Sequence, residues 1–403
     1  MALPERLQRW VRIAEKSERK IVGLMSGTSM DGLDVALCKI SGHGVDTQFE
    51  VLQHRTVAYS PNERARIIAL VSQDEVVLRD LCILNVWLAE LHASWVMACL
   101  EDWGVPPSEV DCLASHGQTV YHAPGSWVRD GHNRHATLQL VDGDHLAVRT
   151  GILTLSDFRQ KEVAGGGEGA PIAPYAESLI LSGSTPRIML NIGGIANFNW
   201  LPPKGAGVLS VFGDTGPGNA LIDRAVRQFF PEIEEGYDID GKLAKEGTVG
   251  KTLLNWLKGD PYFERRNPKS TGPETFGDSL LNEAWKRAQD LKMSALDLVA
   301  TLTRFSAETM ADTLKSELPT LAGTELYGSG GGWRNPTLRR WFRESLKGPS
   351  FHDVEELGVS TDAKEALLFA VLANETLCGQ GFVPLMRGSE EKRYGFGKFS
   401  FPD

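Results

Sequence analysis

Three groups of residues in this chain have the types and spacings that move protons or hold phosphate. Asp157 and Arg159 follow the apolar run Ile152-Leu-Thr-Leu-Ser156. A carboxylate at a strand end can take a proton from an attacking water. A guanidinium two residues on favours the ionised carboxylate and can stabilise charge developing on a leaving oxygen or a phosphoryl group. Without further context the same two residues read as a strand-end salt bridge. The second group is a pair of glycine-rich turns, one inside Ile21 to Ile40 and holding Gly27-Thr-Ser-Met-Asp-Gly32, the other inside Arg187 to Trp200 and holding Gly193-Gly194. Each reads as strand, tight polar turn, strand. Glycine admits φ > 0 and lets an anion approach bare N–H groups, so each is a candidate phosphate cradle; a hairpin that only joins strands is the other reading. Neither is a helix-linked G-x-x-x-x-G-K-[ST] loop, because no lysine follows the glycines and a strand comes next; the dinucleotide fingerprint fails too.

The third group is Gly213-Asp-Thr-Gly-Pro-Gly-Asn219, between a strand and a helix whose N-terminus can face an anion. Asp214 stands where magnesium and its waters would bridge phosphates, since that ion takes a few carboxylates plus substrate oxygens. A helix-capping turn in which Asn219 or Asp214 satisfies backbone donors is the alternative. Gly330, Gly331 and Gly332, after another strand, would let an adenine lie flat on the backbone. His122, His132 and His135 match no fixed metal-ligand spacing and read as a solvated loop.

These groups need a scaffold that alternates strands and helices. After the first hairpin, Phe49 to Ala58 reads as a third strand, Leu81 to Trp103 as a helix, Val110 to Ser115 as a short buried strand ending in His116-Gly-Gln-Thr119, Asp144 to Arg149 as a helix and Ile152 to Ser156 as a strand. The second half repeats the order: hairpin, strand Gly207 to Phe212, helices around 220–230, 279–291 and 295–318, strand Glu325 to Tyr327, and a closing helix from Asp362 to Ala373. This alternation indicates α/β layers with a mixed sheet in each half. The stretch from Tyr237 to Thr275, rich in Gly, Pro and charge, reads as mobile loop with short helices.

At 403 residues, two domains are the default. A net charge of −10 argues against nucleic acid or an anionic membrane as partner. Small-molecule chemistry fits better. Five scattered cysteines without C-x-x-C spacing read as buried thiols of a reducing compartment. No stretch approaches the ~20 apolar residues of a membrane span. Leu3 to Lys16 is Arg-rich and amphipathic, but Glu5 and Glu15 count against a transit peptide, so it reads as a surface helix of a cytoplasmic protein.

Together the glycine loops resemble the actin, Hsp70 and sugar-kinase superfamily. Met25-Ser-Gly-Thr-Ser-Met-Asp-Gly-Leu-Asp34, Ser115-His-Gly-Gln-Thr-Val120, Ser156-Asp-Phe-Arg159, Gly166-Gly-Glu-Gly-Ala-Pro171, Asn191-Ile-Gly-Gly-Ile-Ala-Asn197, Asp214-Thr-Gly-Pro-Gly-Asn219, Lys269-Ser-Thr-Gly272 and Asp362-Ala-Lys-Glu365 are similar to the motifs of the anhydro-N-acetylmuramic acid kinase family, in the same order, from about Ile21 to Leu377. The resemblance implies a two-domain actin-like ATPase (ribonuclease H-like) fold, with a duplicated mixed-sheet core and an interdomain active-site cleft. Domain I would span 20–183 with the C-terminal segment 362–403, and domain II 184–361. It implies a cytoplasmic enzyme of cell-wall recycling that uses ATP and Mg2+ to open the 1,6-anhydro ring of the muramic sugar with water and phosphorylate O6.

On that resemblance Asp157 is the general base, with Arg159 beside it. ATP would be held by Gly27, Thr28, Ser29, Met30, Asp31, Gly32, Leu33 and Asp34, by Gly193, Gly194 and Asn197, by Asp214, Gly216, Gly218 and Asn219, and by Gly330, Gly331 and Gly332. His116, Gly117, Gln118 and Thr119 would offer donors to the sugar, with a backbone-bonded buried histidine as the competing view of His116. Asp31 and Glu365 are the candidate metal ligands, with Asp214 close behind; a solvated Glu365 is its alternative. The partners implied are an anhydrosugar and a second copy in a homodimer, with no nucleic acid and no membrane. A kinase for another anhydrosugar and a nucleotide-gated chaperone are the rival readings. The extension before Ile21, the loop from Pro124 to His135, and Trp333 beside the expected adenine site depart from the family pattern.

Overall fold

The computed structural model describes residues 3–27, 30–71, 73, 75–123, 135–165, 167–204, 206, 210–265, 269, 271–272, 275–318, 320–382 and 393–403. The chain divides into two compact units, Met1–Ile180 with Gly358–Asp403, and Leu181–Leu357. Twelve strands are described: β1 Glu18–Ser26, β2 Gly32–Ser41, β3 Gln48–Ala58, β4 Cys112–Ala123, β5 Ala136–Leu140, β6 Thr154–Ser156, β7 Arg187–Ile192, β8 Ile195–Leu201, β9 Val211–Pro217, β10 Glu325–Ser329, β11 Ser350–Asp353 and β12 Lys398–Ser400.

The first unit carries a sheet in the order β12-β6-β4-β1-β2-β3, with β5 added to β4. β1, β2 and β3 form an antiparallel meander, while β1 with β4 and β4 with β6 run parallel. The second unit repeats this plan as β11-β10-β7-β8-β9, with an antiparallel meander β7-β8-β9 and parallel pairs β7 with β10 and β10 with β11. This is the duplicated mixed-sheet α/β core that the alternation of elements and the resemblance imply.

Period-two alternation sorts β1 between two helices. Val22 and Leu24 join Val35 and Leu37 of β2 against Val96, Cys99 and Leu100 of the helix Leu78–Asp102. Gly23, on the opposite face, meets the backbone of Ala366 in the helix Lys364–Cys378. A sheet covered on both faces explains why these strands read as near-continuous apolar runs. In the second unit Ile188, Leu190, Ile192 and Phe198 pack on Met310 and Leu314 of the helix Ala295–Glu317 and on Leu338 and Phe342 of the helix Pro336–Ser345.

Four expectations need correction. β4 does not end at Ser115 but runs through His116-Gly-Gln-Thr119 to Ala123, because β5 supplies a new partner from Gln118 onward. The stretch read as mobile loop contributes Leu253, Leu254, Leu257, Tyr262 and Phe276 to a core with Leu298 and Phe305, so its short helices are tied in by buried apolar side chains. Among the described residues one helix, Leu78–Asp102, is long and apolar enough to cross a membrane by length and composition. Its Leu84, Leu88, Ala93 and Val96 enter the core of the first unit. Among the cysteines, Cys38, Cys99 and Cys112 are buried as expected, but Cys82 is exposed.

Candidate active site

In the first unit, β6 delivers Asp157 to the start of the helix Phe158–Ala164. Asp157 takes left-handed backbone angles, φ 55° and ψ 50°, and although it occupies the capping position its carboxylate caps no helix N–H. Its Oδ2 instead pairs with Nζ of Lys398 on β12. No ion pair joins Asp157 to Arg159 among the described residues, since side chains two apart at a helix start diverge. Arg159 donates from Nε to His116 Nε2 at 2.9 Å and from Nη1 to the carbonyl of Gly169 at 2.7 Å. Burial lowers its pKa to about 10, with Glu365 and Glu162 opposing, so the guanidinium is charged at neutral pH. Buried Glu162 accepts from the Gly169 N–H, and burial raises its pKa.

Because Arg159 can only donate, His116 Nε2 must accept, and the ring proton sits on Nδ1, donated to the Gly117 carbonyl at 2.8 Å. Phe369 packs on the ring with centroids 4.7 Å apart. Burial, then the Arg159 charge, pushes the His116 pKa well below its usual value. Neutral His116 has both nitrogens engaged within the protein, so its task is to hold Arg159, and the backbone-bonded alternative describes its Nδ1. Gly117 has φ +78°, and a β-carbon there would lie 2.2 Å from the Leu140 carbonyl oxygen, so only glycine carries β4 past β5 at this point.

Gln118 is fully buried and reaches the first glycine turn. Its Nε2 donates to the carbonyls of Gly27 and Thr119, each at 3.3 Å, which fixes the amide orientation. Ser26 Oγ therefore donates to Gln118 Oε1 at 2.7 Å and accepts from Tyr59 at 3.0 Å, and Tyr59 in turn accepts from His92 Nε2–H at 2.7 Å. The proton sense of the whole chain follows from donor counting. Burial lowers the His92 pKa to about 3, and its Nδ1 has no partner among the described residues. The turn is further tied by Tyr59 N–H to the Asp31 carbonyl at 3.0 Å and by Arg64 Nε to the Met30 carbonyl at 3.1 Å. Thr119 Oγ1 accepts from Gln139 at 3.2 Å and is the half-buried member of the His116 to Thr119 set.

Thr28 and Ser29 lie outside the described residues, as do Gly166 and the loop 124–134. Asp31 is exposed at the turn, whereas Gly32, Leu33 and Asp34 belong to β2, with the Leu33 side chain in the core. Asp34 Oδ1 accepts from Thr56 Oγ1 at 2.5 Å. Glu365, in the first turn of the helix Lys364–Cys378, is reached by solvent, yet desolvation by the protein around it raises its pKa. Lys364 and Arg159 oppose that rise, and Asp34 and Glu177 add to it. Lys364 itself is buried in an ion pair with Glu177 at 2.7 Å, so it is not the partner of Glu365. Among the described residues no three His, Cys, Asp or Glu side chains form a metal cage. A magnesium ion that keeps its waters and phosphate oxygens needs only one or two carboxylates, and the raised Glu365 near the Asp34 charge has the chemistry of such a donor.

In the second unit the β7–β8 turn, the third glycine loop and the three glycines come together. Gly218 N–H donates to the Gly194 carbonyl and Asn219 N–H to the Gly193 carbonyl, both at 2.8 Å. A β-carbon on Gly332 would lie 2.8 Å from Asn219 Oδ1. Asn219 opens the helix Ala220–Phe229 without capping it, leaving its side chain to this junction. Asp214 Oδ2 accepts from Thr271 N–H at 2.9 Å, and the Asp214 carbonyl accepts from Tyr262 at 2.8 Å, so Asp214 holds both of these residues. Asn197 is exposed opposite Asp214 in the β8–β9 register; Gly216 lies buried in β9. Gly330 is half-buried and Gly331 exposed. Trp333 does not obstruct the glycines: its ring packs over Gly328, its Nε1 donates to Asp353 at 2.6 Å, and it is buried.

Ser26, Tyr59, His92, Glu162 and Lys398 were not legible as site residues. Ser26 lies inside a quoted motif, but the others carry no motif, and their partners are 7 to 241 positions away.

A family model described as anhydro-N-acetylmuramic acid kinase matches residues 19–392. The protein of that name from Pseudoalteromonas atlantica is 42% identical over 401 residues, covering 98% of this chain and 99% of that one. Its namesake from Caldanaerobacter subterraneus is 38% identical over 376 residues, covering 93% and 94%. Among solved structures, the (R)-2-hydroxyglutaryl-CoA dehydratase component A of Acidaminococcus fermentans is a distant likeness, with a TM-score of 0.40 and 11% identity over 90% of this chain and 99% of that one.

Proposed function

The chain belongs to the anhydro-N-acetylmuramic acid kinase family, and from that premise we propose that it uses ATP and water to convert 1,6-anhydro-N-acetylmuramic acid to N-acetylmuramic acid 6-phosphate. In this reading Asp157 accepts a proton from water as the water oxygen bonds to the anomeric carbon. The bond from that carbon to O6 breaks, its electron pair goes to O6, and O6 takes the γ-phosphoryl group as the bond to ADP breaks. Arg159, charged and held between His116 and Gly169, stabilises the negative charge that develops on O6 or on the phosphoryl group. The observation that carries the reading is the setting of Asp157: a left-handed residue at a strand end whose carboxylate is withheld from capping its own helix. Strain of this kind concentrates at functional sites.

Phosphoryl transfer is mainly positioning and charge neutralisation. The backbone of the first glycine turn, buttressed through Gln118, and the assembled glycines of the second unit supply N–H groups for phosphate and a bare surface for the adenine. Asp31 and Glu365 are the acids that would hold magnesium or its waters, and the ion would neutralise phosphate charge. The same family membership is the basis for proposing a cytoplasmic homodimer, which the mass in solution tests.

Asp157→Asn tests the central role, because it keeps shape and removes the base. Sugar-dependent ADP release should fall by roughly 10²-fold or more while ATP binding by calorimetry is retained. Turnover comparable to the unaltered enzyme would remove Asp157 from its role. A panel of anhydrosugars in the same assay separates a muramic substrate from a plain anhydro ring.

A further inference from the structure

We propose that Lys398 is a positioning residue for Asp157: the last strand of the chain supplies a cation that fixes one carboxylate oxygen of the base and leaves the other to take the proton of water. This rests on the reading of Asp157 as the base. An aspartate at the first position of a helix ordinarily accepts from the N–H groups of the first turn. Asp157 does not, and its left-handed backbone turns the side chain away from that task. The motif's own cation is unavailable, since Arg159 is committed to His116 and Gly169. Lys398 is what reaches Oδ2, and among the described residues Oδ1 has no hydrogen-bond partner.

The lysine is placed by more than its own reach. β12 pairs antiparallel with β6, with Lys398 opposite Ser156, Phe399 opposite Leu155 and Ser400 opposite Thr154. Phe399 meets Trp10 edge-on with ring centroids 5.7 Å apart, anchoring the strand against the N-terminal helix Glu5–Glu15. A mostly exposed lysine on a free tail would restrain little, because holding it loses side-chain entropy. On a paired strand one register step from the carboxylate, the ammonium starts in place. The proton goes from water to Oδ1 of Asp157, and none passes through the lysine.

The experiment compares Lys398→Met, Lys398→Arg, Asp157→Asn and the Lys398→Met/Asp157→Asn pair in the full-length protein, by sugar-dependent ADP release and thermal midpoint. Lys398→Met keeps the stem and should lower kcat at least about tenfold, with KM for ATP changed by less than about twofold and the midpoint unchanged. Lys398→Arg should restore most of kcat, and the double variant should be no slower than Asp157→Asn alone. Full activity of Lys398→Met beside an inactive Asp157→Asn overturns the proposal and leaves the base in place. A loss in Lys398→Met matched by a fallen midpoint, without rescue by Arg, also overturns it by making the role structural. An active Asp157→Asn overturns the reading of the base itself.

Discussion

Tyr59→Phe probes the buried chain that ends at the first glycine turn. The substitution removes one hydroxyl and leaves the ring, so packing against His92 and Trp95 is kept and no cavity of note opens. It strands His92 Nε2–H, which has no other acceptor in the chain of bonds, in a place fully shut from solvent. An unpaired buried donor costs about 1–3 kcal/mol. For a unit of roughly this size that corresponds to a fall of about 2–12 °C in thermal midpoint. Ser26 loses its incoming donor but keeps its bond to Gln118, so the turn should loosen, not collapse, and KM for ATP should rise more than KM for the sugar. The check is a cycle of Tyr59→Phe, His92→Leu and the double variant, by calorimetry and ADP release. Removing both partners leaves nothing stranded, so the double should cost less than the sum of the singles by roughly 1 kcal/mol. Strict additivity, or a Tyr59→Phe enzyme with unchanged midpoint, would refute the donor counting.

A pH difference follows from the same histidine. The folded value of His92 is about 3 against an ordinary 6.5, so below 6.5 the unfolded chain binds the proton first, and stability contributed by neutral His92 is full above about pH 6.5 and lost as pH falls toward 3. Burial raises the carboxyls of Asp223, to about 6, and of Asp238, whose effect has the opposite sign, so the measurable quantity is a difference. The stability of the unaltered protein relative to His92→Gln, which keeps a donor for Tyr59 but cannot titrate, should fall by up to about 1.4 kcal/mol per pH unit below 6.5; a gap independent of pH would exclude the buried neutral ring. Gly117→Ala forces a side chain onto φ +78° and onto the Leu140 carbonyl, and should shift β4 against β5 and abolish turnover through Gln118 and His116. A soluble Gly117→Ala enzyme with normal kinetics would mean that the close approach is dispensable.

What the sequence announces and what it conceals divide by range. The glycine turn after β7 and the strand-to-helix step at Asp157 are local patterns, where a few adjacent residues determine backbone geometry, and each lies between the elements its pattern gives it; the strand read at Gly207 to Phe212 with a loop after it is instead β9, Val211–Pro217, because β8 pairs along it as far as Pro217. The course of β4 is not local: Gly117 looks like punctuation, and only the arrival of β5 turns its positive φ into a step within a strand. The same limit hides the tautomers. His116 and His92 are both buried and neutral, yet the first must carry its proton on Nδ1 because an arginine occupies Nε2, and the second on Nε2 because a tyrosine there must accept. Neither assignment follows from neighbours in sequence. Each is set by a partner that can only give or, once its own proton is committed, only receive. In this unit the cation on Asp157 is therefore Lys398, and the histidines that composition would nominate as proton carriers serve instead to hold Arg159, through His116, and the first glycine turn, through His92 and Tyr59.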